Sequence, residues 1–280
     1  MKVLVTGAKG QLGTDLVLLL SDRGYEVYGY GKEELDITNF DQVKRVIREI
    51  HPDVVIHTAA YTKVDLAESE PDQAFLINSY GTRNVAVVSE AVGAKLVYIS
   101  TDYVFDGTAT TPYNEFALTN PQSVYGKSKL AGEQFVRDLH SKFFIVRTSW
   151  VFGKHGNNFV KTMLKLAKER NELMVVNDQV GCPTYTVDLA NCILDLIQTE
   201  KYGIYHVSNS GQCSWYEFAK AIFEEAKIKV KVNPCMTKDF PRPAPRPAYS
   251  VFQHMALNLN HYRKMRDWRE ALKVFLSDIR

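Results

Sequence analysis

Cysteine is scarce in this chain. It occurs four times in 280 residues, as Cys182, Cys192, Cys213 and Cys235. No C-x-x-C pair is present, which excludes a zinc knuckle and a redox dithiol, and no N-x-S/T sequon is present either. The four thiols read as small apolar fillers. Long apolar runs are also missing. The longest, Leu16 to Leu20, falls far short of the ~20 residues of a membrane span. The opening Met1-Lys2-Val3-Leu4-Val5-Thr6-Gly7 is interrupted too soon to read as a secretory signal, so a reduced, cytoplasmic protein without a membrane partner is expected. There is no surplus of charge. Lys and Arg number 34 against 32 Asp and Glu, a net charge of +2. Nothing in that balance draws the chain to nucleic acid. A hydrophobic content of 45% with 24% charged residues excludes disorder and fibrous architectures and leaves a globular chain long enough for one large α/β domain or two unequal lobes.

The first 150 residues alternate between two periods. Short β-branched or apolar runs at 2–6, 26–30, 54–57, 96–99 and 143–147 read as strands. Between them, helical spacing appears at 11–23, 39–50, 71–92 and 121–140; Leu12, Leu16, Leu19 and Leu20, for example, share one face. Near-continuous apolar strands alternating with helices predict a parallel sheet covered on both sides. With right-handed crossovers this is an α/β, doubly wound sheet of the Rossmann type. After residue 150 the rhythm loosens. Helices are expected at 156–170 and 187–198, strands at 173–176 and 203–207, and a capping box at Ser214 and Glu217 opens another helix. Residues 240–247 carry four prolines and are not helical. A last helix is expected at 267–279. The predicted organisation is a dinucleotide-binding domain over 1–150, with about 173–208 returning to the sheet. A smaller substrate-binding lobe takes 151–172 and 209–280.

The sharpest local signal is Thr6-Gly7-Ala8-Lys9-Gly10-Gln11-Leu12-Gly13. It follows the first strand and opens the first helix, where a glycine turn lets backbone approach a pyrophosphate. Its spacing is G-x-x-G-x-x-G. A Tyr-x-x-x-Lys pair would place both side chains on one helix face, and the ammonium would lower the phenol's pKa for acid–base work. With 15 tyrosines the bare pattern is weak, and three matches occur: Tyr28/Lys32, Tyr125/Lys129 and Tyr216/Lys220. Only Tyr125/Lys129 lies at the carboxyl end of the fourth strand, where a doubly wound sheet holds its ligand. That strand ends in Ser100-Thr101-Asp102. The Thr101 hydroxyl can orient a carbonyl oxygen, and Ser100 supports the site.

The segments TGAKGQLG, LDIT, HTAAYTKVDLAESEP, INSYGTRNV, STDYVFDG, YGKSKLAGE and RTSWVFG, in this order, resemble the extended short-chain dehydrogenase/reductases. Within them they are similar to the dTDP-4-dehydrorhamnose reductase family. The likeness runs from residue 2 to about 190 and returns at Arg246-Pro247-Ala248-Tyr249-Ser250. It implies that Tyr125, Lys129 and Thr101 are catalytic. Gly7, Gly10, Gln11, Leu12 and Gly13 would lie along the cofactor diphosphate, Asp36 and Ile37 beside the adenine, and Ala59, Ala60 and Tyr61 beside the nicotinamide ribose, which Lys129 would hold. Thr101, Asp102 and Trp150 would meet a nucleotide-sugar substrate. Asn78 would support Lys129 or serve only structure.

The implied reaction is NADPH- or NADH-dependent reduction of the 4-keto group of a dTDP-6-deoxy-hexulose. Two alternatives stay open: an epimerase or dehydratase with tightly held NAD, and a non-catalytic regulatory subunit. The dehydratase wants an acidic pair that Asp102 alone does not make, and the regulatory subunit tends to lose the Tyr that is present here. No Asp or Glu stands at the tip of the second strand, and Lys32, with Arg23 or Lys9, mildly favours NADPH. Some relatives hold magnesium at a dimer contact. Asp15 matches one such carboxylate but has no late acidic partner, so no metal is expected, and a homodimer is left open.

Overall fold

The computed structural model describes residues 1–279. Its strands, in chain order, are β1 (Lys2–Thr6), β2 (Glu26–Tyr30), β3 (Val54–His57), β4 (Lys95–Thr101), β5 (Phe143–Thr148), β6 (Val151–Phe152), β7 (Glu172–Val176), β8 (Val180–Gly181), β9 (Thr184–Tyr185), β10 (Gly203–His206), β11 (Cys213–Ser214) and β12 (Lys231–Cys235). The helices are α1 (Gln11–Asp22), α2 (Phe40–Ile50), α3 (Val64–Ala67), α4 (Pro71–Phe75), α5 (Thr82–Ala91), α6 (Val124–Leu139), α7 (Phe159–Leu166), α8 (Thr186–Ile197), α9 (Trp215–Ala226), α10 (Met255–Leu259) and α11 (Trp268–Asp278).

Six strands form one parallel sheet in the order β2-β1-β3-β4-β5-β10. Side-chain alternation along each strand divides the core between the two faces. Val3, Val5, Ile56, Val97, Phe144 and Val146 pack on α1 and α8. Leu4, Val55, Leu96, Tyr98 and Ile145 pack on α2, α5 and α6. Chain order reverses between β1 and β3, which makes a crevice at the carboxyl ends of those strands.

Three differences from the sequence reading have local causes. The expected helix over 71–92 contains a π turn, Leu76–Gly81, between α4 and α5. There the Asn78 side chain accepts from the Tyr61 amide (2.8 Å) and donates to the Tyr61 carbonyl (3.1 Å) and the Ser128 hydroxyl (2.9 Å), a grip that coincides with the wider turn. The helix expected from 121 begins at Val124 instead, because the Ser123 side chain caps it by accepting from the Gly126 amide. Of the segment expected to return to the sheet, β10 alone does so as a strand. β7 pairs instead with β12, in a separate two-stranded sheet. That pair, with α7, α9 and α11, encloses a second core around Phe152, Tyr185, Phe218 and Phe275. All four cysteines are buried and free. Among the described residues no helix is long and apolar enough to cross a membrane.

Candidate active site

A cleft of about 800 Å³ runs from the β1–α1 turn, across the ends of β3 and β4, to α9. That is ample for a dinucleotide beside a second ligand. At one end the wall is backbone. Gly7 has φ +68°, and a side chain there would meet the Ala59 amide at 2.7 Å. A Cβ on Gly13 would overlap the Gly7 carbonyl oxygen. α1 starts from Gly10 with no side chain capping it and no acidic residue in its first turn. Its first amides therefore point, uncapped, toward the cleft, and a diphosphate fits there. Gly7, Gly10, Gln11, Leu12, Gly13, Asp36, Ile37, Ala59 and Ala60 all line the cleft.

Tyr61 does not. With both backbone groups held by Asn78, its ring turns away into a buried cluster and its hydroxyl donates to Glu70 (2.7 Å). Asp36 lines the cleft, and its carboxylate closes its own turn, accepting from the Thr38 amide and hydroxyl at 2.9 and 2.8 Å. Gln11 spans to the second lobe, donating to the Val151 carbonyl (3.2 Å) and accepting from Asn158 (2.8 Å).

The tip of β2 corrects the sequence reading. An acidic group does stand there: Glu34 folds back, accepts from the Gly31 amide (3.0 Å) and pairs with Lys9. Lys32 lines the cleft and is exposed. Arg23 caps the far end of α1, beside the amino end of β2 and a strand's length from its tip, and cannot reach this corner.

At the centre of the cleft are Thr101, Tyr125 and Lys129. Tyr125 and Lys129 lie one turn apart on α6, whose first turn packs on the turn after β4; a Cβ on Gly126 would overlap the Tyr103 carbonyl oxygen. The Tyr125 phenol lies beside the Thr101 hydroxyl, which donates to Asp102, and its ring meets Tyr103 edge-on at 5.4 Å. Burial pushes the Tyr125 phenol up to about 12, the Thr101 hydroxyl opposing and the Asp102 charge adding. This overturns the expectation of a phenol lowered by Lys129. Burial instead drives the Lys129 ammonium down to about 7, with Glu133 opposing. The Lys129 Nζ lies over the Tyr98 ring, 4.1 Å from its centroid. Behind it, Glu133 accepts from Ser100 (2.5 Å) and from two nitrogens of Arg147 (2.9 and 2.7 Å), a buried ion pair under the end of β4.

Toward the second lobe the wall becomes side chain. Asp102 is buried, accepts from Thr101 (3.0 Å), and keeps one oxygen, Oδ2, without a partner among the described residues. Burial pushes it up to about 6 against the Ser250 and Thr101 hydroxyls. Trp150, in the left-handed region at φ +47°, stacks on Trp215 at 3.5 Å and 8°. Both line the cleft, and so do Tyr103, Gly156 and Asn157, which sequence reasoning missed. The late R-P-x-x-S element packs behind this end without lining the cleft. Arg246 grips Asp65 with two bonds (2.9 and 3.0 Å), and Ser250 lies beside Asp102. The competing tyrosines stay outside. Tyr28 bonds Glu26, and the Lys220 ammonium lies over the Tyr216 ring on α9, neither tyrosine lining the cleft. Asp15 faces His155, 3.5 Å away.

Comparison with known proteins gives a consistent picture. The family model "RmlD substrate binding domain" matches residues 1–280. The spore coat polysaccharide biosynthesis protein SpsK of Bacillus subtilis is 48% identical over 277 residues, covering 99% of this chain and 97% of that protein. The dTDP-4-dehydrorhamnose reductase of Aggregatibacter actinomycetemcomitans is 44% identical, covering 97% of each chain. The crystal structure of dTDP-4-dehydrorhamnose reductase from Bacillus anthracis in complex with NADP is 56% identical and superimposes with a TM-score of 0.97 over 99% of each chain.

Proposed function

Because the chain belongs to the RmlD substrate-binding-domain family, we propose from that premise that it reduces the 4-keto group of dTDP-4-dehydro-6-deoxy-L-mannose to give dTDP-L-rhamnose. It is an NAD(P)H-dependent oxidoreductase of nucleotide-sugar biosynthesis. The observation that carries the reading is the convergence of Thr101, Tyr125 and Lys129 on one cleft, between a glycine-walled turn and a pair of stacked tryptophans.

The nicotinamide, when bound, supplies the hydride. The residues supply the rest. The amides of the Gly10–Gly13 turn take the diphosphate, and Asp36 and Ile37 border the adenine. Thr101, beside the Tyr125 phenol, turns its hydroxyl from Asp102 to the substrate carbonyl oxygen and fixes that oxygen's distance from the phenol. Tyr125 gives its proton to that oxygen. Tyr125 is protonated at neutral pH, as a donor must be, and because burial makes it a weaker acid the Lys129 charge has to offset that cost. Lys129 takes the ribose hydroxyls and offers a positive charge as Tyr125 becomes phenolate. Asp102 bonds the sugar, and Trp150 with Trp215 packs on the substrate. In this reading residues 1–150 with α8 and β10 carry the cofactor, and the remaining lobe, with the end of β4, carries the sugar nucleotide. We infer a cytoplasmic setting, a reading that four free, buried thiols support.

The test is turnover. Purified protein with dTDP-4-dehydro-6-deoxy-L-mannose and NADPH, then NADH, should consume the reduced nicotinamide one-for-one. Proton NMR of the product should give the L-manno configuration. No consumption, or a product epimeric at C4, would contradict the assignment.

A further inference from the structure

The Lys129 ammonium sits in a place that ought to discharge it. It is 2% exposed, on the inner face of α6. The charged and titratable groups around it come from four elements. On α6, Glu133 is its one carboxylate, but both oxygens of that carboxylate are already taken by Arg147 of β5 and Ser100 of β4. Tyr125, also on α6, is held neutral by burial. From β3 comes His57, whose Nε2 faces the Thr82 hydroxyl (3.1 Å) while that hydroxyl donates to the Asn78 carbonyl (2.8 Å). His57 Nε2 must therefore be the donor, and Nδ1 accepts from Thr6 (2.7 Å). The ring is neutral, and burial and Lys129 together hold it down to about 3. What remains is Tyr98 of β4, its ring fully buried under the ammonium and stacked on His57 at 5.7 Å.

Tyr98 is fixed in that position. Its hydroxyl donates to the carbonyls of Asn78 (3.3 Å) and Lys129 (3.2 Å). The helix above it carries Gly132, where a Cβ would overlap both that hydroxyl and the Asn78 carbonyl. α6 can thus lie flat on the ring. The same ring edge buttresses the π turn that holds Asn78.

We propose that Tyr98 is a positioning residue for this reaction, its ring face the electrostatic platform that keeps the Lys129 ammonium charged and in place at the centre of the cleft. A cation over a desolvated aromatic face is stabilised by the ring quadrupole. Removing the quadrupole therefore makes the ammonium easier to deprotonate. The proposal rests on the assignment of Lys129 to the reaction, but the primary readout does not. Lys129 is titrated by NMR in cofactor-free, isotopically lysine-labelled protein, its signal assigned by loss in Lys129→Met.

Tyr98→Phe keeps the ring and should titrate within about 0.3 pH units of the native chain, while pentafluorophenylalanine at position 98, of nearly the same size with its quadrupole reversed, should titrate about one unit lower. Tyr98→Leu should follow the fluorinated ring. With cofactor and substrate present, the alkaline limb of kcat/KM should move down by the same amount in the fluorinated protein and be rescued in Tyr98→Phe. Equal Lys129 titration in the Phe and pentafluoro proteins overturns the proposal. Absence of turnover in the native protein, with the NMR shift intact, overturns the functional reading and leaves the platform standing.

Discussion

Where the cleft runs along β1, α1 and the end of β3, its wall is mostly backbone. Where it runs from Thr101 to Trp215, its wall is side chain drawn from β4, the 148–157 segment and α9. The first half needs two close approaches that only glycine permits, at Gly7 and Gly13, and such a wall suits a generic diphosphate met through amides. The second half has a stacked indole pair, a buried carboxylate and a hydroxyl beside a phenol, groups able to tell one sugar nucleotide from another. Tyr125 and Lys129 stand at the seam. On the proposed assignment the contrast teaches that the cofactor side is set by what residues lack and the sugar side by what they carry, so substitutions on the two sides should fail differently.

The largest effect short of the proton donor is expected at the seam. Lys129→Met should lower turnover on the order of 10²-fold and weaken NADPH binding as well, read by steady-state kinetics and fluorescence titration. A turnover loss with cofactor affinity intact would remove the ribose role. Next is Asp102, which is kept at a cost. Burial holds it at about 6, above the ordinary 3.8 of an unfolded carboxyl. Between those two values the folded chain binds more protons than the unfolded one, so stability falls as pH rises from about 4 to about 6 and stays lowered above. The shift of about two units corresponds to roughly 3 kcal/mol at pH 8. Asp102→Asn should therefore raise Tm more at pH 8 than at pH 4 while impairing substrate binding. A pH-independent Tm difference would mean that Asp102 is not the group titrating.

A smaller effect should separate the halves cleanly. Trp215→Ala removes the partner stacked on Trp150 and should raise KM for the nucleotide sugar about tenfold, with NADPH affinity unchanged, since a stacked aromatic pair contributes ~0.5–1.5 kcal/mol beyond its buried area. A matching loss in NADPH affinity would merge the two halves into one. The smallest belongs to the β2 tip. Glu34 neutralises Lys9 there, so Glu34→Gln should free that ammonium and improve the NADPH-to-NADH ratio by no more than about fivefold, the scale of an exposed ion pair. An unchanged ratio would show that this corner does not read the 2′-phosphate.

The glycine-walled half of the cleft was largely legible because its signals are local. Glycines at fixed spacing after a strand and Tyr125/Lys129 one turn apart both survive in a linear reading. The sugar side was less so. Trp215 reads as the first residue of a capped helix, and only the fold lays it on Trp150. Glu34 is an exposed acid in a turn, which carries no periodicity, so its return to Gly31 and Lys9 was invisible. Tyr61 reads as a wall residue next to Ala59 and Ala60, yet Asn78 grips its backbone and turns the ring away. Tyr98 looks like any apolar strand residue until α6 sets an ammonium over it. The expected lowering of the Tyr125 phenol failed for a general reason: burial acts on both members of the pair, and the sequence shows their spacing but not their dryness.

The account turns on Tyr125 as the proton donor where the two halves meet. The most direct measurement is Tyr125→Phe with NADPH and the dTDP-sugar, following binding of each ligand by calorimetry and turnover at saturation. The variant should bind both ligands within about twofold of the native chain and lose turnover by 10²-fold or more, as removal of a general acid requires. Turnover within a few-fold of native, with both ligands bound, would contradict the account.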